Sequence, residues 1–360
     1  MEDVVILRCE NYDKKNVEFS IKRVMSLLKI DTQKYKRVLI KPNFLRVFKK
    51  NQEAITTHPQ ILKSVAGIFK NSFIGESSFM ETKNTMDALL PNFKNKIIFE
   101  EQDRKVIVNN KNKILKEVVL PDIFEKFDLI INVPKLKTHS LTGITCAIKN
   151  HYGFIPGALK QSLHKKAIGN KNFSKLLIDI FQNIKSDLHI VDAVVSMEGE
   201  GPSAGKRKDT RLILASKNAI ALDIVAAKIM GFNPKEILMI RECIERGLYP
   251  DYSVNIIGDF KEIPRLNFEL PVIKNDFLWG HLTSKLKEKI FVDSTKCTKC
   301  GICAKKCPAK CITLNPYPEV NHRVCMNCFC CIEVCPHHAL RAEKNLIWKL
   351  GKKIKNIFLK

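Results

Sequence analysis

Eight of the thirteen cysteines fall into two identically spaced sets near the C-terminal end of the chain. In CTKCGICAKKCP, Cys297, Cys300, Cys303 and Cys307 precede Pro308; in CMNCFCCIEVCP, Cys325, Cys328, Cys331 and Cys335 precede Pro336. Thiolates at intervals of three residues can wrap one 4Fe-4S cubane from a tight loop, while the fourth, carried into the following turn, points at the other cluster. Two 4Fe-4S clusters are therefore expected, the first on Cys297, Cys300, Cys303 and Cys335 and the second on Cys325, Cys328, Cys331 and Cys307. Zinc is the competing reading, because paired C-x2-C elements also build four-thiolate sites. A zinc site needs only two such pairs. The third cysteine in step, the Cys-Pro ending and the complete second copy favour iron and sulfide. The odd total and the tight grouping argue against a disulfide framework. Cys311 and Cys330 lie inside the segment but outside the pattern and read as small buried hydrophobes, adventitious ligation after damage being the less favoured alternative. Cys9, Cys146 and Cys243 are isolated in mostly apolar surroundings and read as buried hydrophobes too.

From Phe291 to about Ala342 the chain resembles the bacterial-type two-cluster ferredoxin. The resemblance implies a small α+β module that passes electrons, and hence a redox partner protein.

A second group of candidates is polar and follows apolar runs. KPN (Lys41 to Asn43), GESS (Gly75 to Ser78), PKLKTHS (Pro134 to Ser140) and MEGEGPSAG (Met197 to Gly205) each come just after a predicted strand. In open α/β sheets ligands sit in the crevice outside the carboxyl ends of the strands, so four such clusters could converge on one rim. Lys135, Lys137, His139 and Glu198 are the candidates for acid-base chemistry, and Lys41, Asn43, Glu76, Lys149 and Asn150 for holding a substrate, a cofactor or a further metal. The glycine-rich loop is not a phosphate-cradling turn of the Walker A kind: position 200 is glutamate, and Arg207 stands where Ser or Thr is required. No G-x-G-x-x-G follows the first strand, and no G-x-S-x-G or H-E-x-x-H occurs.

The elements that must position these residues read as α/β, a mostly parallel sheet with flanking helices, plus a small C-terminal α+β ferredoxin-like domain. Predicted strands cover Val4 to Cys9, Arg37 to Pro42, Ser72 to Gly75, Asp128 to Pro134, Leu188 to Val195, Arg211 to Ser216 and Val254 to Gly258. Predicted helices cover Ile61 to Phe69, Phe173 to Ile184, Asn218 to Gly231 and Pro234 to Arg246. A further helix is expected from near Leu141. The expected domains are residues 1–275 (α/β), 276–289 (linker), 290–343 (two clusters) and 344–360, a basic amphipathic tail. That tail suits peripheral contact with an anionic membrane, docking on an acidic redox partner, or packing back on the large domain.

Ile131 to Gly157, with Val191 to Gly205 and the KPN segment, looks like the family catalogued as domain of unknown function 362, and the match runs over most of residues 1–258. The positions that carry it are Lys41, Asn43, Glu76, Lys135, Lys137, His139, Lys149, Asn150, His164, Glu198 and Gly201. Members are often fused to iron–sulfur modules, which agrees with the C-terminal segment. The resemblance implies a fold and an architecture and names no substrate.

Formal net charge is +24, from 61 Lys and Arg against 37 Asp and Glu. Lysine is accompanied throughout by Ile and Asn, so compositional bias explains much of the charge, and nucleic acid is the least favoured partner. The N-terminus lacks a signal peptide's basic region and long apolar stretch, which favours the cytoplasm. The functional expectation is an iron–sulfur oxidoreductase whose clusters relay electrons to a small-molecule substrate or cofactor on the α/β rim. Its alternative is a non-catalytic carrier or assembly factor whose α/β domain docks a partner.

Overall fold

The computed structural model describes residues 1–45, 54–77, 82–99, 104–203, 205–271, 289–326 and 328–343. The chain divides into two compact units, Met1–Lys160 with Asn170–Val272, and Gln161–Gly169 with Ile273–Lys360. The expected linker, apart from residue 289, and the expected amphipathic tail lie outside the described residues.

The first unit is built on a sheet of ten strands among the described residues. In chain order these are β1 (Asp3–Arg8), β2 (Val38–Pro42), β3 (Ser72–Ser77) and β4 (Lys96–Phe99), then, after a separate hairpin of β5 (Arg104–Val108) and β6 (Glu117–Pro121), β7 (Leu129–Val133), β8 (Lys135–His139), β9 (Gly143–Thr145), β10 (Leu188–Glu198), β11 (Lys206–Ser216) and β12 (Asn255–Gly258). The order across the sheet is β12-β1-β11-β10-β7-β2-β3-β4, with β8 on β10 and β9 on β8. The run from β10 through β7, β2 and β3 to β4 is parallel, as are β1 with β12 and β8 with β10; β11 is antiparallel to both neighbours. Strands β2 and β7 are buried along their whole length, as continuous apolar runs covered on both faces must be.

The helices are α1 (Lys14–Leu27), α2 (Pro59–Ala66), α3 (Thr82–Leu89), α4 (Ala147–Asn150), α5 (Gly157–Lys166), α6 (Asn170–Phe181), α7 (Ala219–Met230) and α8 (Leu238–Glu245). Val17, Ile21, Val24 and Met25 recur at helical spacing in α1 and pack with Ile61, Leu62 and Val65 of α2 on alternate residues of the strands, among them Val5, Leu7, Val38, Ile40, Leu129 and Ile131. Helix α7 is apolar nearly all round and correspondingly buried. Asn218 caps it by accepting from the amides of Ile220 and Ala221, and Gly231, at φ +90°, ends it in the left-handed region.

All seven strands read from the sequence are present, and three segments differ. PKLKTHS is not a rim loop: its first five residues after the proline form β8, completely buried. The helix expected from near Leu141 is replaced by a turn and β9, with α4 beginning only at Ala147. Pro234 to Arg246 is a 3-10 turn (Pro234–Glu236) followed by α8 rather than one helix, because Asn233 caps the turn by accepting from the amide of Lys235 and Ile237 is extended.

In the second unit, Lys289–Val292 pairs antiparallel with Leu340–Glu343, and Ile312–Asn315 with Tyr317–Val320. A one-turn helix carries the third cysteine of each set, Cys303 in Ile302–Lys305 and Cys331 in Cys330–Glu333. Gly301 and Phe329 hold the same left-handed position before these helices, at φ +73° and +59°. Among the described residues no helix is long and apolar enough to cross a membrane.

Candidate functional site

The repeat in the second unit brings thiols together across the two motifs. Cys297, Cys300, Cys303 and Cys335 line one pocket, together with side chains such as Pro318, Pro336 and Leu340. Cys307, Cys325, Cys328 and Cys331 line a second, with Cys311, Ile290, Ile312 and Val320. Each cavity thus takes three cysteines from one motif and the last cysteine of the other. Four sulfur donors in an apolar wall are the donor set of a 4Fe-4S cluster. Backbone amides point at the sulfurs: Lys299 N donates to Cys297 Sγ at 3.4 Å, Cys311 N to Cys307 Sγ at 3.4 Å and Ala339 N to Cys335 Sγ at 3.2 Å. Burial pushes the Cys303 and Cys331 thiols up, so thiolates there need a compensating cation, which the iron of a bound cluster would supply.

In the first unit, Lys41 and Asn132 stand side by side in register at the ends of β2 and β7, and Glu76 ends the apolar part of β3. Lys41 Nζ donates to Glu76 Oε2 at 2.7 Å and to Pro42 O at 2.8 Å, fully buried. The amides of Phe44 and Ser77 also donate to Glu76. Burial pulls the Lys41 ammonium down, and the Glu76 carboxylate opposes it. A Cβ on Gly153 would stand 2.3 Å from Lys41 Nζ, so only glycine permits this approach. Lys160, on α5, bonds Ser77 Oγ; burial brings its ammonium down to about 8 against the opposing pull of Glu76, with Lys41 and Lys149 adding repulsion.

Along β8 the period of two puts Lys135, Lys137 and His139 on one side. Lys135 Nζ donates to Asp192 Oδ2 at 2.9 Å and to Tyr12 Oη at 2.6 Å, and Tyr12 donates in turn to Asp192 Oδ1 at 2.8 Å. The Tyr12 ring stacks on His58 at 3.7 Å, and burial followed by the Asp192 charge holds the phenol well above its ordinary value. Lys137 Nζ donates to Ile55 O and Asn43 Oδ1, both at 2.8 Å. From Asn43 a chain of amides continues inward: Asn43 Nδ2 to Asn150 Oδ1 at 3.0 Å, Asn150 Nδ2 to Asn132 Oδ1 at 2.7 Å, and Asn132 Nδ2 to His189 Nδ1 at 3.2 Å. Every amide oxygen in it faces the Lys137 end, so the aligned dipoles stabilise that ammonium. Burial drives His189 well below its ordinary value, which keeps the ring neutral and its Nδ1 free to accept.

The structure therefore joins Lys41, Glu76, Asn43, Asn150 and Lys137 in one hydrogen-bonded network, with Lys135 two residues away on β8. Lys149 is half-buried on α4, close enough to act on Lys160. His139 stands apart: its Nδ1 accepts from the amides of Leu141 and Thr142 in the turn after β8. Glu198 also stands apart, with Lys208 Nζ at 2.9 Å and Glu269 N at 3.0 Å on its carboxylate. His164 is half-buried on α5, and Gly201 lets the β10–β11 loop press on β8, since a Cβ there would lie 1.9 Å from Thr138 O. Sequence reasoning missed Tyr12, His58, Asn132, Lys160, His189 and Asp192. Asp192 and Asn132 left a trace, each a lone polar residue inside an apolar strand, where burial demands a partner.

The network depends on α4, whose first amides are held by a buried carboxylate. Ala147 N and Ile148 N donate to Asp223 at 2.7 and 3.3 Å. Burial nonetheless raises the Asp223 carboxyl to about 7, from 3.8. The unfolded chain ionises Asp223 first, so its contribution to stability is full below pH 4 and is lost as pH rises through about 7. Asp223→Asn removes that descending limb. In denaturation followed by circular dichroism, the variant's deficit relative to the parent protein is expected to shrink from pH 4 to about pH 7 and to level off above it; a constant deficit would place Asp223 at an ordinary value. His151, brought down to about 4 by burial, gives the opposite slope in both proteins and cancels in the difference.

Fold and thiol sets together define an α/β protein with an iron–sulfur module. Residues 290–313 match the 4Fe-4S binding domain, and the chain binds at least one such cluster. Residues 38–228 match the family described as domain of unknown function (DUF362), and the protein belongs to that family. It is 27% identical over 271 residues to the thylakoid-associated protein sll1697 of Synechocystis sp., covering 69% of this chain and 81% of that one. Among solved structures, the lactate racemase apoprotein of Thermoanaerobacterium thermosaccharolyticum aligns with a TM-score of 0.43 at 11% identity, over 65% of this chain and 57% of that chain's length.

Proposed function

We propose that this protein is a cytoplasmic two-cluster electron-transfer protein, in which two 4Fe-4S centres pass electrons to a substrate or cofactor held by the buried lysine network of the α/β unit. The observation that carries the reading is the pair of thiol-lined pockets, each taking three cysteines of one motif and the last cysteine of the other motif. Crossed completion binds two centres into one module. The chemistry of the α/β site fits an anionic acceptor: Lys41 donates to Glu76 and Lys160 to Ser77 at the end of β3, and Lys137 donates to Asn43 at the head of the Asn43, Asn150 and Asn132 amide chain. The name of the Synechocystis relative is compatible with peripheral membrane contact through residues 344–360.

Iron, acid-labile sulfide and zinc in the anaerobically purified full chain test the first part. About eight iron and eight sulfide per chain are expected, with a reduced-state electron paramagnetic resonance signal of two interacting centres. About four iron, or stoichiometric zinc, would overturn it. For the second part, Lys137→Ala is expected to leave the cluster spectra intact while abolishing reoxidation of the reduced clusters by carboxylate- or phosphate-bearing acceptors. Unchanged reoxidation by every acceptor that works on the parent protein would leave a carrier whose α/β unit docks a partner.

A further inference from the structure

The two cluster motifs match cysteine for cysteine and differ in charge. From 294 to 311 the first carries five lysines and no acid, whereas from 322 to 339 the second carries no lysine, with Arg323 and Glu333 in balance. Position by position, Lys296, Lys299, Lys305, Lys306 and Lys310 stand against Val324, Asn327, Glu333, Val334 and His338. A chain-wide bias toward lysine acts on both repeats alike, so it leaves this difference unexplained. The structure sets the charge beside one pocket. Lys296 and Lys299 flank Cys297 and Thr298, which line the pocket that Cys335 completes. Lys299 Nζ lies 4.7 Å from the centre of the Tyr317 ring, and the next residue, Pro318, lines that pocket too. Lys305 closes the one-turn helix that carries Cys303. All three lysines are exposed, and Lys296 meets Asp293 at 3.2 Å. Of the eight motif cysteines, the exposed one is Cys300, directly after Lys299.

We propose that the surface around Cys300 is where the first cluster exchanges electrons with an acidic one-electron carrier protein, whose carboxylates meet Lys296, Lys299 and Lys305. The inference rests on the two-cluster reading and adds the port and the charge of the partner. Electron transfer falls off steeply with distance, so a carrier must approach a cluster closely, and the exposed ligand marks where it can. Complementary charge then sets the rate of encounter and the orientation. One electron passes between the first cluster and the carrier's own centre, one being oxidised as the other is reduced; no bond changes and no proton moves. Nucleic acid and anionic lipid match the charge but hold no centre to take the electron, and the charge lies at the one exposed cluster ligand.

The test is the rate at which the photoreduced full-length chain passes electrons to an oxidised acidic flavodoxin in stopped flow, with basic cytochrome c as the probe of opposite charge. Lys296→Glu with Lys299→Glu and Lys305→Glu is expected to slow flavodoxin by roughly tenfold or more at low ionic strength and to speed cytochrome c. Glutamate at Lys34, Lys217 and Lys261, exposed on the α/β unit, makes the same change in net charge and is expected to leave both rates near the parent's. Equal slowing by the two triple variants would assign the effect to total charge and overturn the proposal, as would unmoved rates in the first. Should glutamate disturb cluster assembly, glutamine at the same three positions decides: it slows flavodoxin severalfold, or the proposal falls. Weaker binding to phosphatidylglycerol vesicles or duplex DNA with flavodoxin kinetics unmoved would give the surface to lipid or nucleic acid instead. Iron per chain separates the two readings, since about eight with unmoved rates defeats the docking surface alone and about four defeats the two-cluster reading.

Discussion

Cys335→Ala is expected to remove the cluster of the first motif while sparing that of its own. The substituted residue belongs by sequence to CMNCFCCIEVCP, but its thiol completes the cavity of Cys297, Cys300 and Cys303. A cubane held by three thiolates in an apolar pocket has lost a charged ligand and gained a solvent-accessible iron, so iron should fall from about eight to about four per chain. Pairs of substitutions sharpen the result. Cys335→Ala with Cys300→Ala crosses motifs but stays within one cavity, so the content should stay at about four. Cys335→Ala with Cys328→Ala stays within one motif but spans both cavities, and should leave almost no iron. Straight ligation, each motif holding its own cluster, predicts the reverse pairing. Iron and sulfide on anaerobic protein, with the reduced-state spectrum to show which centre survives, distinguishes the two.

That prediction was already legible in the spacing, because cluster ligation depends on short local intervals and a repeat. The strands were legible for a similar reason: runs such as Val4 to Leu7 and Leu129 to Ile131 are apolar on both faces, as strands of a sheet covered on both sides are. What could not be read was the placement of charge. Lys135, Leu136, Lys137, Thr138 and His139 read as part of a polar cluster beyond the end of a strand, since a lone lysine is rarely buried. The strand exists because its partners come from distant positions, Asp192 at 57 residues and Tyr12 at 123 residues of separation for Lys135, and Asn43 at 94 for Lys137. Nothing local announces those pairings. Glu198 shows the converse, a carboxylate that fits the pattern but is taken by Lys208 across the β10–β11 hairpin. The alternation of Lys, Lys and His at every second residue was the one usable signal for β8.

Asp192→Ala is expected to be among the most damaging single changes in the α/β unit. Asp192 is fully buried and accepts from Lys135 Nζ at 2.9 Å, Tyr12 Oη at 2.8 Å and His58 N at 2.8 Å. Its removal strands an ammonium that is itself fully buried, and breaking one side of such a pair costs about 3–5 kcal/mol. The same carboxylate ties β10 to the start of α2, because His58 caps that helix by accepting from Gln60 N, so the damage reaches beyond one ion pair. Lys135→Met with Asp192→Asn removes both charges and keeps an oxygen acceptor for His58 N. Most of the lost stability should return in that double variant, as expected when the penalty lies in an uncompensated charge rather than in lost packing. Denaturant titration followed by circular dichroism, with the cluster absorbance recorded in parallel, is the measurement. If the double variant is no more stable than Asp192→Ala, the cost lies in the hydrogen bond from Tyr12, and the buried charge pair is not what holds β8 in the sheet.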